Sequence, residues 1–220
     1  MKDIEIIFVR HGETDWNKEK RLQGSSLPGP SLNEKLGRQQ SIRVGEHLRQ
    51  ETISLLCSSP LKRCLETAEE IKRWHSVDIV ILEDLKERSL GKFEGRLYSE
   101  KEVKKALSTG TAEVECLEDV MRRCRSALRR ICEECKWMQQ TDGIQKAKVV
   151  AVTHGGFLHA LHRVCEPNKK ANGIVRNCGI CRVLLERNEH GNVRRRLLTW
   201  DDASHLKGQL GSAFGGGEYG

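Results

Sequence analysis

An arginine, a histidine and a glycine follow the first apolar run of the chain. The run covers residues 4–9, and Arg10, His11 and Gly12 come directly after it. An imidazole can act as nucleophile or proton carrier, a guanidinium binds anions through a planar fork, and glycine lets the backbone approach a ligand closely. The tripeptide therefore fits chemistry on an anionic group, although on its own it also fits a structural turn.

Three further polar segments follow later apolar runs in the same way. Residues 58–60 lead to Arg63, Glu87 follows the run at 79–82, and residues 154–156 (His-Gly-Gly) follow the run at 148–153. In open α/β sheets, ligands bind beyond the carboxyl ends of the strands. We therefore expect these segments to bring two histidines, two arginines and one carboxylate to one edge of a sheet.

The elements that must position these residues alternate along the chain. Helical periodicity follows Ser31, Pro60 and the Gly155-Gly156 pair, and it is longest over residues 117–138. Short apolar runs typical of strands lie between these segments, at residues 4–9, 53–57, 79–82, 148–153, 180–185 and 194–199. The alternation predicts an α/β fold, a three-layer sandwich with a mainly parallel central sheet flanked by helices.

Five ordered motifs carry a resemblance to a known family. They are RHGETDWN, LQG, SSPLKRCLETA, LKERSLGKFEG and THGG, at residues 10–17, 22–24, 58–68, 85–95 and 153–156. With these motifs the chain resembles the histidine phosphatase superfamily, in the branch that contains cofactor-dependent phosphoglycerate mutases and fructose-2,6-bisphosphatase. The resemblance covers most of the chain and implies a phosphoglycerate mutase-like fold.

The resemblance also implies a role for each matching position. His11 matches the nucleophilic histidine, and Glu87 matches the proton donor. The positions that match contacts to the phosphoryl group or the substrate are Arg10, Arg63, His154, Asn17, Gln23 and Gly24. Gly155 joins them because glycines at a helix start permit close backbone approach to an anion.

These residue types suit phosphoryl transfer independently of the family. The transition state carries charge on the equatorial oxygens, so fixed positive groups such as Arg10 and Arg63 stabilise it. The same guanidinium groups disfavour protonation of His11, which must attack as a neutral imidazole. Glu87 can protonate the leaving alkoxide and then activate water. No metal or other cofactor is expected.

The other histidines and the cysteines are expected to have structural rather than chemical roles. His159 and His162 are expected to be packing or surface residues. The pairs Cys132/Cys135 and Cys178/Cys181 have zinc-knuckle spacing, but the first lies on an apolar helical stripe and the second enters a strand, so apolar packing is favoured over a metal site. A redox role for Cys57 or Cys64 would require an exposed thiol, and packing is again favoured.

Composition restricts the class of protein. The formal net charge is +7 over 220 residues, but basic residues alternate with glutamates and aromatic residues are few, so no nucleic-acid partner is expected. No apolar run is long enough to cross a membrane. Scattered cysteines without an export signal favour a cytoplasmic location. We expect one domain over residues 1–207 and a flexible, glycine-rich tail over 208–220; a homodimer stays an open alternative.

The sequence therefore predicts a metal-independent phosphomonoesterase that hydrolyses a small phosphorylated metabolite through a phosphohistidine at His11. The substrate could be phosphoserine-like, phosphoglycerate-like or a sugar phosphate, since residues 97–99 and 172–178 depart from the family pattern. The mutases that this chain resembles carry a longer insertion between the proton donor and the second histidine, whereas the segment from Glu87 to His154 is shorter. The resemblance therefore implies an open pocket that admits water and favours hydrolysis. A phosphoglycerate mutase and a catalytically silent module that binds a phosphorylated ligand are the alternatives.

Overall fold

The computed structural model describes residues 3–141, 147–187 and 193–207. Short 3₁₀ turns at Glu83–Leu85, Gly91–Phe93 and Ser204–Leu206 join its longer elements. The strands are β1 (Ile4–Arg10), β2 (Leu55–Ser58), β3 (Ile79–Ile81), β4 (Ala147–Thr153), β5 (Ile180–Arg187) and β6 (Val193–Asp202). The helices are α1 (Asp15–Lys18), α2 (Gly37–Leu48), α3 (Lys62–Lys72), α4 (Lys101–Thr109), α5 (Leu117–Thr141) and α6 (Gly155–Cys165).

The described strands form a six-stranded sheet in the order β3-β2-β4-β1-β5-β6. Strands β3, β2, β4 and β1 pair in parallel, β5 runs antiparallel to β1, and β6 runs antiparallel to β5. The predicted, mainly parallel sheet is confirmed. Strands β1 and β4 lie in its middle, so their carboxyl ends reach the centre of one edge.

Apolar side chains fill both faces of the sheet. On β1, the side chains of Ile4, Ile6 and Phe8 belong to one buried cluster, while Ile7 and Val9 belong to another. A strand buried on both faces reads as a continuous apolar run, which explains the sequence of this strand. The first cluster also includes residues of α5 and α6, and the second includes residues of α2 and α3. Helices on both faces confirm the three-layer sandwich.

Two helix predictions differ from the structure. The helix expected after Ser31 begins only at Gly37, because the Asn33 side-chain oxygen accepts hydrogen bonds from the backbone N–H groups of Leu36 and Gly37, both at 2.9 Å. Helix α4 was not predicted from the sequence. Among its described side chains, Val103 and Ala106 are buried and pack in a third, smaller cluster with Leu90 and Phe93.

The part of the chain that the structure describes has no helix long and apolar enough to cross a membrane. The predicted tail at 208–220 lies outside the described residues.

Candidate active site

A cavity of about 370 Å³ opens at the carboxyl end of β1, beside α6 and the loops after α1 and β3. Phosphate-sized and metabolite-sized ligands fit cavities of this order. Of the residues singled out in the sequence, Arg10, His11, Asn17, Gln23, Gly24, Arg63, Glu87 and Gly155 line it. Four segments far apart in sequence thus meet at the predicted edge of the sheet.

His11 is buried, and its ring orientation is fixed. Nδ1 lies 2.7 Å from the carbonyl oxygen of Gly12. Because a carbonyl oxygen can only accept, Nδ1 carries the proton and Nε2 keeps its lone pair. That Nε2 accepts a hydrogen bond from the Nε of Arg63 at 3.2 Å. Burial, then the charges of Arg63 and Arg10, hold the pKa of His11 well below its usual value of 6.5, against the opposing effect of the Gly12 hydrogen bond.

Arg10 and Arg63 are the two guanidinium groups beside this imidazole. Arg63 is fully buried and also donates through Nη2 to the carbonyl oxygen of Gly24 at 2.9 Å. Arg10 donates through Nη1 to the carbonyl oxygen of Val175 at 2.7 Å. Each guanidinium is therefore oriented by a carbonyl from another loop, which makes the positive charge around His11 rigid and preorganised.

His154 lies behind His11 and does not line the cavity. The two ring centroids are 5.2 Å apart, and His154 is fully buried. Its Nε2 is 2.8 Å from the hydroxyl of Ser59 and 3.3 Å from the thiol of Cys64. Burial, followed by the charge of Arg63, holds the pKa of His154 well below 6.5. The ring thus supports the His11 side of the site as a neutral group.

Glu87 reaches the cavity from the segment after β3. Its Oε1 accepts a hydrogen bond from the backbone N–H of Arg88 at 2.7 Å, and its Oε2 accepts one from the backbone N–H of Gly156 at 3.0 Å. A Cβ on Gly156 would lie 2.3 Å from Oε1, so this position must be glycine for the carboxylate to sit there. The start of α6 therefore holds the carboxylate in place.

The remaining predicted contacts, Asn17, Gln23 and Gly24, also line the cavity. The Asn17 side-chain oxygen accepts from the backbone and hydroxyl of Thr14, at 3.2 and 3.1 Å, in a capping box at the start of α1. Gln23 has a buried side-chain oxygen that, within the described part of the chain, has no hydrogen-bond partner. Gly24 has φ +62°, and Glu94 fills the space beside it.

Several cavity residues were not singled out in the sequence. His159 was interpreted as a packing or surface residue, but it lines the cavity. It lies one helical turn after Gly155, on the same face of α6, and that spacing could have revealed it. His162 is buried and meets Trp200 edge to face at 5.0 Å. The other lining residues, to which the sequence assigned no contact, are Lys20, Arg21, Leu22, Tyr98, Ala171, Gly173, Ile174, Val175 and Trp200.

The cysteines pack as the sequence favoured. Cys178 and Cys181 belong to clusters on opposite faces of the sheet, so their thiols point apart. Cys57 and Cys64 are fully buried, and burial raises the pKa of both thiols, which contradicts the alternative of an exposed, reactive thiol. Among the described residues, no group of three or more histidines, cysteines and carboxylates could hold a metal ion.

Comparison with known proteins identifies relatives over nearly the whole chain. The chain is 34% identical to phosphoglycerate mutase-like protein 4 of Arabidopsis thaliana, over 96% of this chain and 92% of the relative. It is 30% identical to the metal-independent phosphoserine phosphatase of Arabidopsis thaliana, over 92% of this chain and 83% of the relative.

Solved structures of phosphatases are also similar to this chain over nearly its whole length. A mycobacterial glucosyl-3-phosphoglycerate phosphatase superposes with a TM-score of 0.76 at 25% identity, covering 91% of this chain and 99% of that one. The family model of the histidine phosphatase superfamily, branch 1, matches residues 6–199. The chain therefore belongs to branch 1 of the histidine phosphatase superfamily.

Proposed function

We propose that this protein is a metal-independent phosphomonoesterase that forms a phosphohistidine at His11. The observation that carries the proposal is the state of the imidazole. Its Nδ1 proton is donated to the Gly12 carbonyl, its Nε2 accepts from the Nε of Arg63 until a phosphoryl oxygen takes over that donor, and its pKa is lowered well below 6.5 by burial, Arg63 and Arg10. A neutral, oriented nucleophile among fixed positive charges suits attack on a phosphate ester.

In the first step, Nε2 attacks phosphorus and the bond to the ester oxygen breaks. The protonated form of Glu87 gives its proton to that oxygen, so the leaving group departs as a neutral alcohol. In the second step, a water attacks the phosphohistidine while the ionised Glu87 takes its proton. The phosphorus–nitrogen bond breaks, inorganic phosphate leaves, and His11 and Glu87 return to their starting states.

The other predicted residues act by binding. Arg10 and Arg63 bind the phosphoryl oxygens, and their charge compensates that of the transition state. Gly155 brings the start of α6 to the same oxygens. His154 packs against the ring of His11, with the two centroids 5.2 Å apart, and supports the nucleophile from outside the cavity lining. Asn17, Gln23 and Gly24, which also line the cavity, contact the substrate.

The proposed substrate is a small phosphorylated metabolite. A cavity of about 370 Å³ accommodates a phosphoryl group with a compact leaving group. Relatives with phosphoserine phosphatase and glucosyl-3-phosphoglycerate phosphatase names support the choice of phosphoserine-like, phosphoglycerate-like and sugar phosphates. The nine cysteines are unpaired thiols, which supports a reducing, cytoplasmic location.

Phosphoglycerate mutase activity is the second candidate, because relatives carry that name. It requires interconversion of phosphoglycerates that depends on added bisphosphoglycerate. A silent binding module is less well supported, because such a module would need the arginines but neither the oriented His11 nor Glu87. Vanadate, which mimics the transition state, would have no activity to inhibit in a silent module.

Phosphate release from a panel of esters in the presence of EDTA tests the proposal. The panel contains phosphoserine, phosphoglycerates, sugar phosphates and p-nitrophenyl phosphate, and His11→Ala is the control. We expect release that persists with EDTA and is abolished in the control, and the fastest ester identifies the substrate class. Equal release by the His11→Ala protein would contradict the proposal, and bisphosphoglycerate-dependent isomerisation without release would favour the mutase.

A further inference from the structure

The segment that carries Glu87 has irregular backbone and is held through its carbonyl groups. Asp84 and Leu85 end the 3₁₀ turn Glu83–Leu85, and the residues that follow, Lys86 and Glu87, belong to no regular strand or helix. The Leu85 carbonyl accepts a hydrogen bond from the Thr153 hydroxyl at 2.7 Å. The carbonyls of the other three residues, Asp84, Lys86 and Glu87, all accept from the guanidinium of Arg123.

Arg123, on α5, uses all five of its N–H groups. Nη1 donates to Asp84 O at 3.1 Å and Lys86 O at 2.9 Å, and Nη2 donates to Glu87 O at 3.3 Å. The remaining two groups, on Nε and Nη2, donate to the two carboxylate oxygens of Glu115, both at 2.8 Å. A guanidinium has five donors in a fixed fork, so its position is fully determined by these partners.

Glu115 extends the same network to the far side of Glu87. Its Oε2 accepts from the backbone N–H of Ser89 at 3.0 Å, and its own backbone N–H donates to Ser89 O at 2.9 Å. The side chains of Arg123 and Glu115 are 23% and 17% exposed, so the pair is largely shielded from water. The pair therefore fixes the backbone immediately before and immediately after the catalytic candidate Glu87.

We propose that Arg123, held by Glu115, is a positioning residue that sets where the Glu87 carboxylate lies in the cavity. The inference rests on the proposed function of Glu87 as acid and base. Both carboxylate oxygens of Glu87 are bound by backbone N–H groups, of Arg88 and Gly156, so the carboxylate follows the backbone path of its segment. Arg123 determines that path because three carbonyls converge on it. Lysine cannot replace it, since one ammonium cannot reproduce the planar fork.

Arg130 provides a matched control on the same helix. It also contacts the segment, through an ion pair of 3.2 Å with the side chain of Asp84, but its side chain is 57% exposed. A loss that arises only from weaker packing of α5 against the segment would affect variants of both arginines. A loss that arises from misplacement of Glu87 would be confined to Arg123.

The test measures kcat/KM for an alkyl ester, phosphoserine, and an aryl ester, p-nitrophenyl phosphate, in Arg123→Met, Arg123→Lys and Arg130→Met. The alkyl leaving group needs a proton from Glu87, whereas nitrophenolate leaves without one. Since kcat/KM covers only the steps up to release of the leaving group, later hydrolysis of the phosphohistidine does not contribute. In both Arg123 variants, we expect kcat/KM for phosphoserine to fall roughly 10- to 100-fold, which is part of the usual contribution of a general acid. For p-nitrophenyl phosphate, kcat/KM should fall about threefold or less. Arg130→Met should retain activity on both.

A double variant separates positioning from stability. If Arg123 acts through Glu87, then adding Arg123→Met to Glu87→Gln should reduce kcat/KM for phosphoserine by less than about twofold more. Equal losses on the two esters, an additive loss in the double variant, or an equal loss in Arg130→Met would overturn the inference. Arg123→Lys keeps the positive charge, so the losses of kcat/KM on the two esters can be compared in this variant if Arg123→Met does not fold. Inactivity of the unmodified protein on every ester would instead refute the proposed function.

Discussion

At the scale of single residues, the site depends on a histidine that stays neutral beside two positive charges. An exposed imidazole is half protonated near pH 6.5. The burial of His11 and the charges of Arg63 and Arg10 lower its pKa well below that value. The Gly12 carbonyl, which accepts the Nδ1 proton, then leaves Nε2 as the nucleophilic atom.

NMR titration of the imidazole tests this description. Between pH 8 and pH 6, the ring signals of His11 should not titrate, because protonation requires a pH well below 6.5. The signals are assigned by their absence in His11→Gln. The ring nitrogen shifts should correspond to the neutral form with its proton on Nδ1. A midpoint near 6.5, or a proton on Nε2, would contradict the assigned state.

The residue scale also shows which site residues could be predicted. His11, Arg10, Arg63 and Glu87 follow apolar strands and carry reactive groups, so type and position together reveal them. Trp200 could not be found in this way. It is an apolar residue near the end of β6, and it lines the cavity only because β6 pairs with β5 next to the central strand β1.

At the scale of elements, the two glycines at the start of α6, Gly155 and Gly156, have different neighbours. A Cβ on Gly156 would lie 2.3 Å from the Glu87 carboxylate, whereas a Cβ on Gly155 would lie 3.5 Å from Arg10, an ordinary contact. Helix α6 can therefore present a backbone N–H to Glu87 only if the second residue has no side chain.

Substitution of the two glycines tests this difference. Gly156→Ala should displace the Glu87 carboxylate and reduce kcat/KM for phosphoserine by about 10-fold or more, part of the usual contribution of a general acid. Gly155→Ala adds a Cβ 3.5 Å from Arg10, inside the phosphoryl site, so its loss should be equal on phosphoserine and p-nitrophenyl phosphate, whereas the loss in Gly156→Ala should be larger on phosphoserine. Thermal melting of both variants serves as the control for folding. An equal loss on the two esters in Gly156→Ala would argue against a fixed position for Glu87.

Elements differ in how well the sequence predicts them. The strands buried on both faces, such as β1 and β4, were predictable because all but a few positions, Glu5 and Arg10 in β1 and Lys148 in β4, are apolar or small. Helix α4 was not predicted, although Val103, Ala106 and Leu107 have helical spacing, because these few apolar residues lie among charged ones and no side-chain cap marks the start of the helix. The loop at residues 171–175 has no periodicity at all, and only tertiary contacts place it at the cavity.

At the scale of the whole molecule, two buried histidines, His11 and His154, and the half-buried His205 link stability to pH. Burial, followed by the charge of His47, lowers the pKa of His205 to about 4, and the pKa values of His11 and His154 are also lowered. In the unfolded chain all three would titrate near 6.5. Between those values the unfolded state binds more protons than the folded state, so the free energy of unfolding falls as pH decreases.

Urea unfolding at a series of pH values measures this linkage. The free energy of unfolding should decrease from about pH 6.5 towards about pH 4, and the histidine contribution should be constant above about pH 7.5. His205→Gln should show a smaller decrease over the same range, because one of the three groups is removed. A free energy of unfolding that is unchanged or higher at pH 5 than at pH 7.5 would contradict the buried, neutral histidines.

The central claim is that the phosphoryl group is transferred to Nε2 of His11, and rapid-quench trapping tests it most directly. The protein is mixed with the fastest ester, quenched in alkali, where phosphohistidine survives, and digested for mass spectrometry. We expect one phosphoryl group on the peptide that contains His11, formed before phosphate appears and absent in His11→Ala. Steady phosphate release without any phosphorylated His11, or with the phosphoryl group on another residue, would contradict the account.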